Sequence, residues 1–138
     1  MKIYVVIDTN VLVSAMLAVR PDSATVRVLE HLVNGDIVPM FNAEIVAEYR
    51  EVLRRPRFRF AEDDIAAVID LVVKGGVDSK RSATSGLVKD EKDVVFYEVA
   101  MSREDSYLVT GNIRHFPVNT RVVTPNELLE IIKNVGVL

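Results

Sequence analysis

Two oxygen-bearing side chains stand where apolar runs end. In "KIYVVIDTNVLVSA", residues 2–15, the run Ile3–Ile7 leads directly into Asp8. In "SYLVTGN" an apolar run leads into Thr110, Gly111 and Asn112. An unpaired carboxylate beside buried sequence is costly, so Asp8 needs a partner or a task. The modest task is to cap the helix read over Thr9–Leu17. Asn112 has a modest reading as well, a turn residue after glycine.

Further acids lie elsewhere in the chain. The helical stretch "NAEIVAEYREVLRR" holds Glu44, Glu48 and Glu51 beside an apolar stripe of Ile45, Val46, Tyr49, Val52 and Leu53. At ~100° per residue, Glu48 lies about 100° from the stripe centre, Glu44 about 140° and Glu51 about 160°. Glu48 is therefore the one placed to reach a site beside the core; the plain alternative is three solvated charges. In "VKDEKDVVFYEVA", Asp90 reads as an N-cap and Asp93 falls in the first helical turn. Acids there also stabilise a helix N-terminus without any further role.

Asp8, Glu48, Asp93 and Asn112 together suggest a cluster of oxygen ligands. Close carboxylates cannot all stay ionised without a cation. Hard oxygen donors, with no His/Cys set, favour Mg²⁺ or Mn²⁺ over zinc. Such ions ready a water to attack a phosphodiester. Two basic stretches then bear on substrate. "RRPRFRF", residues 54–60, interleaves Arg54, Arg55, Arg57 and Arg59 with Phe58 and Phe60, a mixture suited to phosphate contact and base stacking. It is also what a helix C-terminus followed by inward-packed phenylalanines looks like. "NIRHFP" sets Arg114 and His115 just after Asn112, where either could meet a substrate phosphate. Lys80 and Arg81, in a Ser/Thr-rich stretch, read as surface residues.

The elements that would position these residues alternate in type. Strand-like runs cover residues 2–7, Ile37–Met40, Gly86–Val88 or else Val77–Ser79, Ser106–Val109 and Arg121–Val123. Helical patterns cover Ser23–Val33, Ala43–Arg54, Glu62–Lys74, Lys92–Met101 and Pro125–Asn134. The last opens with Thr124, Pro125 and Glu127, a capping box with proline at its first position. Alternating strands and helices predict an α/β chain with a mostly parallel sheet covered on both faces. Ligands of such sheets bind at the carboxyl ends of the strands, which is where Asp8 and Asn112 stand.

The chain has 138 residues, 49% hydrophobic and 27% charged, with no repeat and no linker, so one domain over 1–138 is expected. No run nears the ~20 apolar residues of a membrane span. There is no cysteine, and the first residues enter a strand without a leader pattern. Both fit a cytoplasmic protein. The net charge is −3, so nucleic acid would have to meet a local basic patch.

These residues carry a resemblance. The chain resembles the PIN-domain ribonucleases, most of all the VapC-like toxins of toxin–antitoxin pairs. "VVIDTNVLVSA" looks like the first motif with Asp8, "EIVAEYREVLRRPRF" the second with Glu48, and "KDEKDVVFYEVAMSREDSYLVTGNIRHFP" the third and fourth with Asp93. Asn112 departs from the pattern: many members have an aspartate there. The resemblance implies a three-layer α/β/α sandwich and Mg²⁺- or Mn²⁺-dependent hydrolysis of RNA. It also implies a homodimer and a protein antitoxin that blocks the site. Asp8, Glu48 and Asp93 would hold the metal, Asn10 and Thr110 would support them, and Asn112 would complete the catalytic set. Losing the fourth charge favours one well-occupied metal over two, and leaves open a catalytically weak module that binds RNA or protein. A DNA-cleaving nuclease with the same residues is a further possibility. Haloacid-dehalogenase-like phosphatases also place an aspartate after the first strand, but they expect a second one where this chain has Asn10. A response-regulator receiver would need an acid pair near that strand.

Overall fold

The computed structural model describes residues 2–84 and 86–136. Five strands, β1 (Ile3–Ile7), β2 (Ile37–Phe41), β3 (Val77–Asp78), β4 (Tyr107–Val109) and β5 (Val122–Val123), form one sheet in the order β3-β2-β1-β4-β5. All four pairings are parallel. Among the described residues the helices are α1 (Thr9–Leu17), α2 (Ala24–Asn34), α3 (Ala43–Leu53), α4 (Glu62–Gly75), α5 (Glu91–Ala100) and α6 (Pro125–Asn134). Short 3₁₀ turns lie at Pro56–Phe58 and Ile113–His115.

The sheet is the middle layer of an α/β/α sandwich. Helix α5 lies across β1, β4 and β2 with α3 beside it, while α2 packs on β2 and on α6, which reaches β5. This explains why β1 does not alternate: Val5, Val6 and Ile7 all lack solvent exposure because both faces of the strand are covered. Helix α5 is likewise buried along Val95–Ala100, as expected of a helix enclosed by protein on most sides.

Local chemistry accounts for the element ends. Ser23 caps α2 and Asn42 caps α3 with their side-chain oxygens. The Thr124/Glu127 capping box is present, with Pro125 at the first turn. Pro39 interrupts no ladder with β3, which pairs with β2 only from Met40 onward. There the chain also needs a glycine: a Cβ on Gly76 would lie 2.4 Å from both the Pro39 and the Val72 carbonyl oxygens.

Of the two strand candidates between α4 and α5, Val77–Asp78 is the strand. Gly86–Val88 is not, because Gly86 takes φ +66, outside the extended region. The other elements fall within a residue or so of the sequence reading. The order of the strands reverses at the β1/β4 boundary, with β2 and β3 on one side and β5 on the other. That switch point is where an open parallel sheet leaves a crevice at its carboxyl edge.

Candidate active site

Asp8 leaves β1 at the switch point and is 6% exposed. Its backbone N–H donates to the Val109 carbonyl at 3.0 Å, tying it to the end of β4. Its side chain caps α1: Oδ1 accepts from the Thr9 N–H at 2.8 Å. Oδ2 accepts from Thr110 Oγ1 at 2.8 Å and from Asn10 Nδ2 at 3.2 Å. The cap is therefore real, and it does not exhaust the group. A carboxylate has about four acceptor positions, and three are used.

Charge is where Asp8 is unsatisfied. Burial pushes its pKa up to about 6, with the nearby carboxylates Asp93 and Glu48 adding to the rise and the Thr110 and Thr9 donors opposing it. Among the described residues no cation pairs with it.

Glu48 reaches the same corner through Thr9, whose hydroxyl donates to Glu48 Oε2 at 2.6 Å. It is half-buried, whereas Glu44 and Glu51 on the same helix are exposed. Next to it on α3, Tyr49 is fully buried and its hydroxyl donates to the Ile7 carbonyl. Burial, with Asp8 and Glu48 close by, raises the tyrosine pKa and keeps that hydroxyl a donor.

Asp93 projects from the first turn of α5, half-buried, with its Oδ2 3.3 Å from His115 Nδ1. Burial and then the Asp90 charge raise its pKa, and His115 opposes them. It borders a cleft of about 360 Å³ with Leu87, Lys89, Arg114 and His115. Asn112 is exposed at the mouth of this corner, and its backbone N–H donates to Thr110 Oγ1 at 3.0 Å. Asn10 closes the framework by accepting from the Gly111 N–H at 3.0 Å.

The fold thus brings Asp8, Glu48, Asn10 and Thr110 into one hydrogen-bonded framework, with Asp93 and His115 as its neighbours. Among the described residues, no three His, Cys, Asp or Glu side chains are gathered into a set able to hold an ion by themselves. Arg57 lines a groove with Thr9, Asn10 and Val13 of α1, and its guanidinium lies 4.8 Å from the Phe58 ring centroid. Phe58 and Phe60 stack at 5.4 Å and are half-buried rather than packed into the core.

Two residues here escaped the sequence reading. Thr9 connects Glu48 to Asp8, but threonine after an N-cap has no distinctive signal. Glu98 is buried on α5, where Arg81 Nε donates to its Oε1 at 2.8 Å and the Thr84 N–H to its Oε2 at 2.9 Å. An acid inside the run "VVFYEVA" was the available hint. Arg81 lies at the surface as expected, yet its guanidinium reaches inward to Glu98 and outward to Glu44.

A family model described as "PIN domain" matches residues 4–114. No curated protein and no solved structure matches the chain.

Proposed function

The chain belongs to the PIN-domain family, whose members are generally metal-dependent nucleases, and on that premise we propose that it is an Mg²⁺- or Mn²⁺-dependent endoribonuclease. The observation that carries this is Asp8: a buried carboxylate at the switch point, with Asp93 and Glu48 near it and, among the described residues, no cationic partner. Burial first, and then the acidic neighbours, make the ionised form of Asp8 costly, and a positive ion beside it would offset that cost.

Asp8 with Glu48 and Asp93 would hold it, not as a closed three-carboxylate set but with water and substrate completing the shell. The donor set suits a hard divalent cation, which is commonly bound through one or two carboxylates and completed by water and substrate phosphate. The ion supplies charge neutralisation at the phosphate and an activated water. The rest of the chemistry belongs to the chain. Thr110 and Asn10 orient Asp8 so that one acceptor position remains free. Thr9 fixes the carboxylate of Glu48. One of the acids takes the proton of the attacking water. Arg114 and His115, beside Asp93, bind the flanking phosphate, and Asn112 orients the substrate or a water at the mouth. An amide there brings no charge, so one ion binds well and a second weakly. Two equally tight sites in a manganese titration would overturn that.

Resemblance to toxin components supports a further reading: a homodimeric cytoplasmic toxin held silent by a protein antitoxin. No helix among the described residues is long and apolar enough to cross a membrane. Asn112 favours a second reading, a catalytically weak module that binds RNA or protein.

The deciding experiment is cleavage of a mixed RNA panel by purified protein with Mg²⁺ or Mn²⁺, beside EDTA and Asp8→Asn controls. Loss in both controls, by a factor on the order of 10³ for the variant, is expected. Equal activity of wild type and variant would remove Asp8 from the site. No cleavage at all would favour the binding module and make Asn112→Asp the next protein to assay.

A further inference from the structure

The carboxylate corner opens on one side into a groove of about 530 Å³. Val13, Leu17, Val52 and Phe58 give it an apolar lining, and Thr9 and Asn10, the two residues after Asp8, bring it to the acids. Leu17 is 51% exposed there. Arg57 forms part of the wall, with its guanidinium over the Phe58 ring. The cations of this stretch divide into two kinds. Arg54 and Arg55 are spent on Glu62 and Glu51. Among the described residues, Arg57 and Arg59 have no acidic partner within ion-pair distance. Arg59 also has φ 56, a left-handed conformation that glycine takes at no steric cost. A position chosen for its backbone alone would suit glycine; arginine places a cation there.

We propose that this groove is a subsite for one unpaired nucleotide of the RNA next to the cleaved bond. The base lies on the apolar floor and stacks on the outer face of the Arg57 guanidinium, which Phe58 backs and Phe60 in turn supports, and Arg57 and the exposed Arg59 beyond the groove hold the adjoining phosphates. Bases stack on aromatic rings and on arginine planes when they are free of a partner strand. A paired base cannot enter, so the substrate is single-stranded at this nucleotide. The cleft beside Asp93 carries Lys89, Arg114 and His115 for phosphate, but its apolar residues Leu87, Phe116 and Pro117 share it with the acids Asp90 and Asp93, which disfavour a stacked nucleotide there. The base is therefore read in the groove rather than in that cleft. This rests on the nuclease reading and adds to it the side on which the base is read.

Binding is measured by anisotropy of a short fluorescein-labelled single-stranded RNA in EDTA, where hydrolysis is silent. The same strand in a duplex, and versions with one abasic nucleotide walked along it, are the comparisons. The single strand is expected to bind at least about tenfold tighter than the duplex, and one abasic position to lose about tenfold. Phe58→Ala should lose the same factor and no longer respond to that abasic position, while Phe58→Tyr keeps both. Arg57→Gln should weaken binding and lower the salt slope by about one. Arg59→Gly should weaken binding without lowering the melting temperature. Equal binding of duplex, or a flat abasic scan, overturns the proposal. So does an abasic penalty that persists in Phe58→Ala. If that variant fails to fold, the abasic scan on wild type and Arg57→Gln decide. Failure of the nuclease reading looks different: this binding pattern intact, with no cleavage in Mg²⁺ or Mn²⁺. No RNA binding by wild type overturns the subsite and gives the groove to a protein segment.

Discussion

Two buried carboxylates stand at opposite ends of one electrostatic problem. Glu98, on α5, is answered: Thr84 donates its backbone N–H and hydroxyl to one oxygen and Arg81 its guanidinium to the other. The Thr84 N–H first, and then Arg81, hold its pKa below the usual carboxylate range. Asp8, at the end of β1, is only half answered. Among the described residues it has three neutral donors, two acidic neighbours and no cationic partner, and burial first raises its pKa to about 6. A satisfied ion pair is architecture, here tying the strand-to-helix segment of residues 79–84 onto α5. Asp8 instead has its hydrogen bonds arranged while its charge stays uncompensated by any described cation.

The contrast has consequences for stability that can be tested in order of size. Asp8 gives the largest. Its folded pKa exceeds the ordinary 3.8, so its neutral form is favoured in the folded state. The stability it allows is present below pH ~4 and is lost as the pH rises to about 6. The loss amounts to roughly 3 kcal/mol for a rise of about two units. In EDTA, urea denaturation of wild type should therefore become easier over that window, against the trend of the other carboxylates. Asp8→Asn should remove this component, and Mg²⁺ at neutral pH should restore stability to wild type but much less to the variant. A wild-type profile identical to that of Asp8→Asn would mean that neither burial nor the neighbouring acids raise the Asp8 pKa.

The second test breaks the satisfied pair. Arg81→Met leaves Glu98 buried with only Thr84. A cost of about 2 kcal/mol is expected, less than for a fully enclosed pair because the Arg81 side chain is 35% exposed. Because the Glu98 pKa is lowered, its contribution is present above the ordinary carboxylate range and lost as the pH falls, the reverse of Asp8. Cleavage by the folded variant should match wild type. The smallest effect belongs to Glu44→Gln, which removes the exposed outer partner of Arg81: at most about 0.5 kcal/mol. A loss as large as that of Arg81→Met would show that Glu44, not Glu98, anchors the network.

Most of the frame was legible in the residues. The apolar run Ile3–Ile7, the proline and capping box before α6 and the alternation of strands and helices all rest on local chemistry, which acts over a few residues. The ranking of Glu48 above Glu44 and Glu51 followed from helical angle alone, and their burial agrees with it. Less legible was the short strand β3. Val77–Asp78 and Gly86–Val88 looked alike as sequence, and only the φ of Gly86 and the close fit of Gly76 against Pro39 separated them.

By itself, then, the sequence determined where chains of backbone hydrogen bonds begin and end, and which carboxylates sit at those ends. Periodicity and capping are properties of neighbours, so they can be read from neighbours. Only the tertiary structure decided which acids meet. Thr110 reaches Asp8 across 102 positions of chain and Arg81 reaches Glu44 across 37. It also decided that one buried acid gains a guanidinium and the other does not. A carboxylate's charge state is set by everything within a few ångströms of it, and the sheet order β3-β2-β1-β4-β5 chooses that company.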